Sequence, residues 1–250
     1  MSSQPAASVP KRVGFVTEGP TDLEVLQKLV AAEIGPIVAV SLQPPVSLSL
    51  QDSGKFGGGW KGVRQWCSSI PDQIKALKLS GFNVWLKNYK LDALIIHVDA
   101  DVAGDKDVRL TRPCPPASAT TTLLKALIQK TWLKQKALPV NVVLTVPAQS
   151  TDCWVAVACQ LDSPLTVSPC NECQEEPARL LVDAGYLEKK GGGKVRKQRT
   201  TYQSTLAPIT LRHWPRVKQE CAEAALFASS LQLLRVGLKA KPPKPVSKRE

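Results

Sequence analysis

Residues 91–105 read LDALIIHVDADVAGD. The first half, Leu91 to Val98, is a short and nearly unbroken apolar run. It is too short for a buried helix and fits a strand covered on both faces. It ends in Asp99-Ala100-Asp101, with Gly104 permitting a sharp turn and Asp105 following. Strands of this kind belong to parallel sheets, whose neighbours in sequence alternate strand with helix.

The flanking segments have that alternation. Upstream, Arg12 to Thr17 (RVGFVT) is another buried-strand pattern, broken by Glu18-Gly19-Pro20. Thr21 reads as the N-cap of a helix over Asp22 to Ile34, in which Leu23, Leu26, Leu29 and Val30 fall at helical spacing. Ile37 to Leu42 is a further strand, and residues 43–59, rich in Pro, Ser and Gly, form a loop ending in Gly57-Gly58-Gly59. Trp60 to Leu79 has helical character, with Pro71 expected to interrupt it. Downstream, residues 102–118 read as an irregular loop, Thr120 to Lys136 as a helix and Pro139 to Val146 (PVNVVLTV) as a strand. Ser150 or Thr151 then caps a helix carrying Trp154. The order β-α-β-α-β-α-β-α implies an α/β fold: a Rossmann-like, largely parallel sheet flanked by helices.

The pattern weakens beyond about residue 160. The expected division is a flexible tail at 1–10, an α/β catalytic domain at 11–160, a helical and basic extension at 161–238 and a disordered basic tail at 239–250. Within the extension, Pro177 to Gly185 is a short helix, Glu188 to Arg199 (EKKGGGKVRKQR) a basic glycine-rich loop and Arg216 to Leu238 one long helix.

The 250 residues carry 33 Lys and Arg against 21 Asp and Glu, a formal net charge of +12. That surplus favours a polyanionic partner, nucleic acid before membrane. No apolar run of about 18 residues is present, and the first residues lack the apolar core of a signal peptide. These features lead to the expectation of a cytoplasmic protein with no membrane partner. The seven cysteines are scattered and read as free thiols in a reducing compartment. Cys170 and Cys173 have CxxC spacing, but Cys221 and His213 supply no second half-site at ligand spacing, so two loop cysteines are favoured over zinc.

In an open parallel sheet, active groups gather at the carboxyl ends of the strands. Glu18 follows one strand directly, and Asp99 and Asp101 follow another. Asp99 and Asp101, two residues apart, can face the same side, and Asp105 can add a third carboxylate. Carboxylates held close repel one another, and a divalent cation removes that cost. Magnesium, or manganese, suits an oxygen site of this kind and would serve phosphodiester cleavage. His97 shares a strand face with Asp99 and is either a base or metal neighbour, or a satisfied core residue. Lys189, Lys190, Lys194, Arg196, Lys197 and Arg199 cluster around Gly191-Gly192-Gly193 and can follow a phosphate backbone. Lys11 and Arg12 could also reach a phosphate. Tyr202 and Trp214 are packing residues or platforms for bases.

TEGPTD, from Thr17 to Asp22 after the strand RVGFV, resembles the first motif of the Toprim family, which places a glutamate after the first strand. HVDADVAGD, from His97 to Asp105, resembles the family's second, D-x-D motif. The two lie about 80 residues apart, in the family's order. VPAQSTDCWVAVA, from Val146 to Ala158, is similar to a segment of small stand-alone Toprim-like proteins found beside ATPases, with Asp152 where a glutamate is usual. The resemblance covers about residues 11–160. It implies a magnesium-dependent nuclease in which Glu18 is general acid/base or metal ligand. Asp99 and Asp101 would hold the metal, with Asp22, Asp105 and Asp152 as further or indirect ligands. OLD-type nucleases use a late lysine on the reacting phosphate, a role that falls to Lys197. Such domains often serve defence against phage with an ABC/OLD-type ATPase partner, and no GxxxxGK[ST] P-loop is present here. The resemblance leaves two alternatives, a primase-like nucleotidyltransferase and a non-catalytic nucleic-acid-binding subunit. The oligomeric state stays open.

Overall fold

A computed structural model describes residues 9–43, 56–160 and 171–239. Most of both expected tails, most of the Pro/Ser-rich loop and Cys170 lie outside these residues. Strand β1 (Lys11–Val16) leads into helix α1 (Pro20–Ile34), then β2 (Ile37–Gln43), α2 (Gly59–Ala76) and α3 (Phe82–Asn88). Next come β3 (Ala93–His97), α4 (Ser118–Leu127), β4 (Val142–Thr145) and α5 (Thr151–Ala158). The four strands form one parallel sheet in the order β2-β1-β3-β4, with Phe15 paired to Ile95 and Ile95 to Val143. The α/β fold with a parallel, helix-flanked sheet is therefore as the sequence implied.

The alternation of the strands sorts their side chains onto two faces. Val13, Phe15, Ala93 and Ile95 point to one core, shared with α1 and α5. Val16, Leu94 and Ile96 point to the other, shared with Trp66, Trp85 and Leu124 of α2, α3 and α4. Chain leaving β1 goes to one side, and the later connections cross to the other. Helices on both faces follow from right-handed crossovers.

Past α5 the chain makes α6 (Pro177–Asp183) and a small antiparallel hairpin of β5 (Glu188–Lys189) and β6 (Val195–Arg196). A helical turn α7 (Arg199–Thr201) then precedes α8 (Ala207–Arg212), α9 (Trp214–Glu220) and α10 (Ala222–Lys239). These helices complete the first core: Tyr202, Leu206, Trp214, Val217, Phe227 and Leu231 are buried in it with Phe15 and Leu26.

Four local expectations change. The first helix begins at Pro20, not after Thr21, because proline's fixed φ suits the first helical position and the Asp22 side chain accepts the Gly19 amide at 3.0 Å. Pro71 does not interrupt α2, where burial of Val63, Trp66, Cys67 and Ile70 outweighs one missing helical bond. The EKKGGGKVRKQR stretch is a hairpin. The long C-terminal helix is broken at Cys221, with a 119° bend between α9 and α10. The break has a cause, because the Glu172 carboxylate accepts the Glu223 amide at 3.1 and 3.0 Å and the Trp154 indole at 2.9 Å. An acid at the N-terminus of α10 satisfies a donor that a continuous helix would have used internally. Glu223 in turn accepts Thr121 at 2.6 Å and pairs with Lys125 at 2.5 Å, which ties α10 to α4.

The expectation of free thiols also fails for one pair. Cys114 and Cys173 are disulfide-bonded, with Cα atoms 5.4 Å apart. They are 59 residues apart in sequence, so spacing could not reveal them, and the bridge removes Cys173 as a metal ligand. Cys67, Cys153, Cys159 and Cys221 remain thiols. Disulfides persist chiefly in oxidising compartments, so this pairing lends the cytoplasmic expectation no support. Among the described residues no single helix is long and apolar enough to cross a membrane. The bent α9–α10 pair meets that test only by length and composition.

Glu172 and its two donors are fully or nearly fully buried. Glu172→Ala would strand the Trp154 indole and the Glu223 amide without an acceptor, at about 1–3 kcal/mol for each unsatisfied group. The expected loss on chemical denaturation is at least about 2 kcal/mol.

Candidate metal centre

The site is built from the turns that end β1 and β3. These strands are neighbours at the point where the crossovers diverge, the usual place for a ligand crevice in such sheets. The β1 turn is held from several directions. The Thr17 hydroxyl donates to the Gly19 carbonyl at 2.9 Å, and the Thr17 amide to the Gln43 carbonyl at 2.6 Å. The glycine run reaches the same turn: the Gly59 amide donates to the Glu18 carbonyl at 3.0 Å, and the Gln43 side-chain amide donates to the Gly57 carbonyl. Gly57 and Gly59 sit at φ of 73° and 65°, which glycine adopts without steric cost.

Each of three carboxylates is fixed through one oxygen. Glu18 Oε1 accepts the Asp99 amide at 2.8 Å, and Asp22 Oδ2 accepts the Gly19 amide at 3.0 Å. Asp99 Oδ1 accepts the Thr151 amide at 3.2 Å and meets His97 Nε2 at 3.0 Å. Among the described residues the other oxygens (Glu18 Oε2, Asp22 Oδ1, Asp99 Oδ2) have no hydrogen-bond partner. One ligand atom from each of Asp22, His97 and Asp99 lies within 4.8 Å of the others. This trio could bind a metal ion.

His97 is fully buried, and its Nε2 also lies 2.9 Å from the Thr151 hydroxyl. Its Nδ1 is buried with no partner. Through Nε2, His97 orients Asp99 and Thr151, and its unpartnered Nδ1 stays available beside the carboxylate oxygens of Asp22 and Asp99. Two carboxylates and an imidazole are a donor set able to hold a metal cation.

The electrostatics are those of acids held close without a counter-ion. Burial, then the Asp99 charge, pushes the Glu18 carboxyl up to about 9. Burial, then Asp99 again, raises Asp22 to about 6, although His97 opposes the shift. Burial raises Asp99 against the pull of His97, and raises Asp101 against Arg112 and Lys197. For His97 burial acts downward, but Asp99, Asp22 and Glu18 together carry the imidazole up to about 9.

Asp99 is shared with a cleft of about 720 Å³, also lined by Asp101, Asp152, Lys197, Arg112 and Lys194. Asp152, on the first turn of α5, accepts the Tyr202 hydroxyl at 2.6 Å through Oδ1 and pairs with Lys197 Nζ at 2.6 Å through Oδ2. Asp105 is turned away: its Oδ1 accepts the Asp107 amide in its own loop, and it does not line the cleft. The basic residues are divided. Lys194 and Lys197 reach the cleft, while Lys189 and Lys190 are exposed on the hairpin. Arg196 meets Glu188 across the hairpin at 3.4 Å, and Arg199 neutralises the fully buried Glu24 at 2.7 Å. Trp214 is a core residue whose indole donates to Glu33 at 2.8 Å. Sequence reasoning passed over Arg112, which lies in no recognisable motif, and singled out Asp152 and Tyr202 without relating them to each other.

No family model, curated protein or solved structure compared with this chain matches it.

The raised acids have a consequence for stability. Glu18 keeps its proton in the folded protein up to about 9, whereas the unfolded chain loses it near 4.5. Its contribution is therefore full below the unfolded value and is lost as pH rises through the folded one. Asp22, from 3.8 to about 6, and His97, from 6.5 to about 9, act in the same direction. The melting temperature in EDTA should fall as pH is raised from about 6 to about 9. Added magnesium or manganese should raise it more at the alkaline end, where the acids are ready to ionise. A melting temperature indifferent to both pH and metal in scanning fluorimetry contradicts a buried acidic centre.

Proposed function

We propose that this protein is a divalent-metal-dependent nuclease that hydrolyses phosphodiester bonds in DNA or RNA, as its Toprim-like motifs imply. The observation that carries the reading is the trio of Glu18, Asp22 and Asp99. Each is pinned by a backbone amide through one oxygen, with the other left without a partner. The amide hydrogen bonds secure the turns, but close approach of three buried acids costs free energy that a cation would remove. A magnesium or manganese ion there would neutralise phosphate charge and activate water.

The chain's own groups supply the rest. Glu18 would take the general acid/base role that the resemblance implies, handling the proton that the displacement requires. Asp99 is kept in one orientation by His97 and the Thr151 amide. Lys197, with burial opposing and Asp152 favouring its charged form, stays protonated and offsets charge that develops on the phosphate. Lys194 and Arg112 line the cleft, and Lys189 and Lys190 extend a positive track beyond it. Phosphate contacts of this sort hold a nucleic acid without reading its sequence. Any use of ATP would come from a partner ATPase, as in the defence systems that the resemblance suggests.

The test is incubation of the purified protein with plasmid, single-stranded DNA and tRNA, in magnesium, manganese or EDTA. An Asp99→Ala/Asp101→Ala double variant would run alongside. Cleavage should need metal and fall by about 100-fold or more in the variant, since even groups that orient metal ligands cost 10–100-fold. Equal binding by both proteins with no cleavage, with or without an ATPase partner, would identify a binding subunit instead.

A further inference from the structure

The inference here rests on the metal-centred reading and concerns how many ions the site takes. Asp152 lines the same cleft as Asp99 and Asp101, and its side chain is 5% exposed. By position it is the natural ligand for a second cation beside the first. Each of its oxygens faces a partner, Oδ1 in a hydrogen bond and Oδ2 in an ion pair that leaves it without a hydrogen bond. Oδ1 accepts the Tyr202 hydroxyl at 2.6 Å, and Oδ2 faces Lys197 Nζ at 2.6 Å.

Neither partner is loosely placed. Tyr202 is 1% exposed and is packed in the core formed by Leu206, Trp154 and α1, so its hydroxyl is fixed against Asp152. Lys197 directly follows β6 and reaches inward from the hairpin, with its side chain 40% exposed toward the cleft. Its charge acts on Asp22 and Asp99 as well as on Asp152. An ammonium at that point compensates the carboxylates that a second ion would otherwise compensate. It also repels any further cation brought close, and more strongly in a partly buried site than in water.

We infer that the cleft holds a single divalent cation, and that the Lys197 ammonium, paired with Asp152, which Tyr202 holds in turn, takes the place of a second. Asp152 and Tyr202 are positioning residues in this scheme, and neither touches the metal. The lysine offers fixed charge and hydrogen-bond donors where a second metal would offer exchangeable ligand positions.

The experiment is a manganese titration of the full chain at neutral pH, followed by calorimetry and by the electron paramagnetic resonance signal of free manganese. Wild type should bind one ion. Lys197→Ala should bind two, Lys197→Arg one, and Lys197→Ala/Asp152→Asn one again, which assigns the gained site to Asp152. Circular dichroism and melting curves establish that each variant is folded, and the arginine variant tests charge independently of side-chain loss. Two ions on wild type, one on Lys197→Ala, or two on the double variant would each overturn the inference while leaving the metal centre standing. No manganese bound to wild type would overturn the metal-centred reading itself.

Discussion

The hydrogen bond from the Asp99 amide to Glu18 Oε1 joins the end of β1 to the end of β3, and the site is arranged around it. The two strands are already paired through Phe15 and Ile95, so the bond extends their register by one polar contact past the sheet. It brings acids from opposite ends of an 81-residue separation to one place. Repulsion among them is then held in check by rigid surroundings: the β1 turn braced by Thr17, Gln43 and the glycine run, and Asp99 braced by His97 and the start of α5. The charges of His97 and Lys197 offset part of that repulsion, and the bracing holds the acids against the remainder. A charge arrangement sustained by so much supporting structure is the physical basis for reading the site as functional.

What was legible in the sequence was local. Unbroken apolar runs such as ALIIH and VVLT marked the strands, and acids directly after two such runs marked the strand ends that meet. Residues that act across long separations were not legible. Asp152 has a helix-start signature, and nothing near it points to Tyr202 or Lys197. Glu172 lies in a stretch with no pattern, yet it decides where α10 begins. Cys114 and Cys173 have no spacing that relates them. The reading of 216–238 as one helix failed for the same reason: propensity there favours continuity, and a distant carboxylate breaks it.

The basic character of the chain divides on inspection into different uses. Arg199 compensates a carboxylate with no access to water, Lys125 ties α4 to α10, and Lys218 pairs with Glu33 at 3.0 Å beside the Trp214 ring. These cations stabilise the fold and are spent there. The exposed hairpin residues Lys189 and Lys190, with Lys194 and Arg112 of the cleft, are among those left to meet an external anion. The net charge of +12 therefore overstates the surface available for binding, and the informative quantity is where the unspent cations lie.

The shared core between the sheet and α8–α10 bears on modularity. Phe15, Leu26 and Trp154 are covered on one side by Trp214, Phe227 and Leu231. A fragment ending near residue 160 would keep every acidic residue of the metal centre and still leave the core between the sheet, α1 and α5 open to water on its outer side. The acidic motifs cannot be cut out and carried to another protein as a cassette. Shuffling by recombination could preserve this site only by moving the C-terminal helices with it, so motif and extension are inherited as one piece.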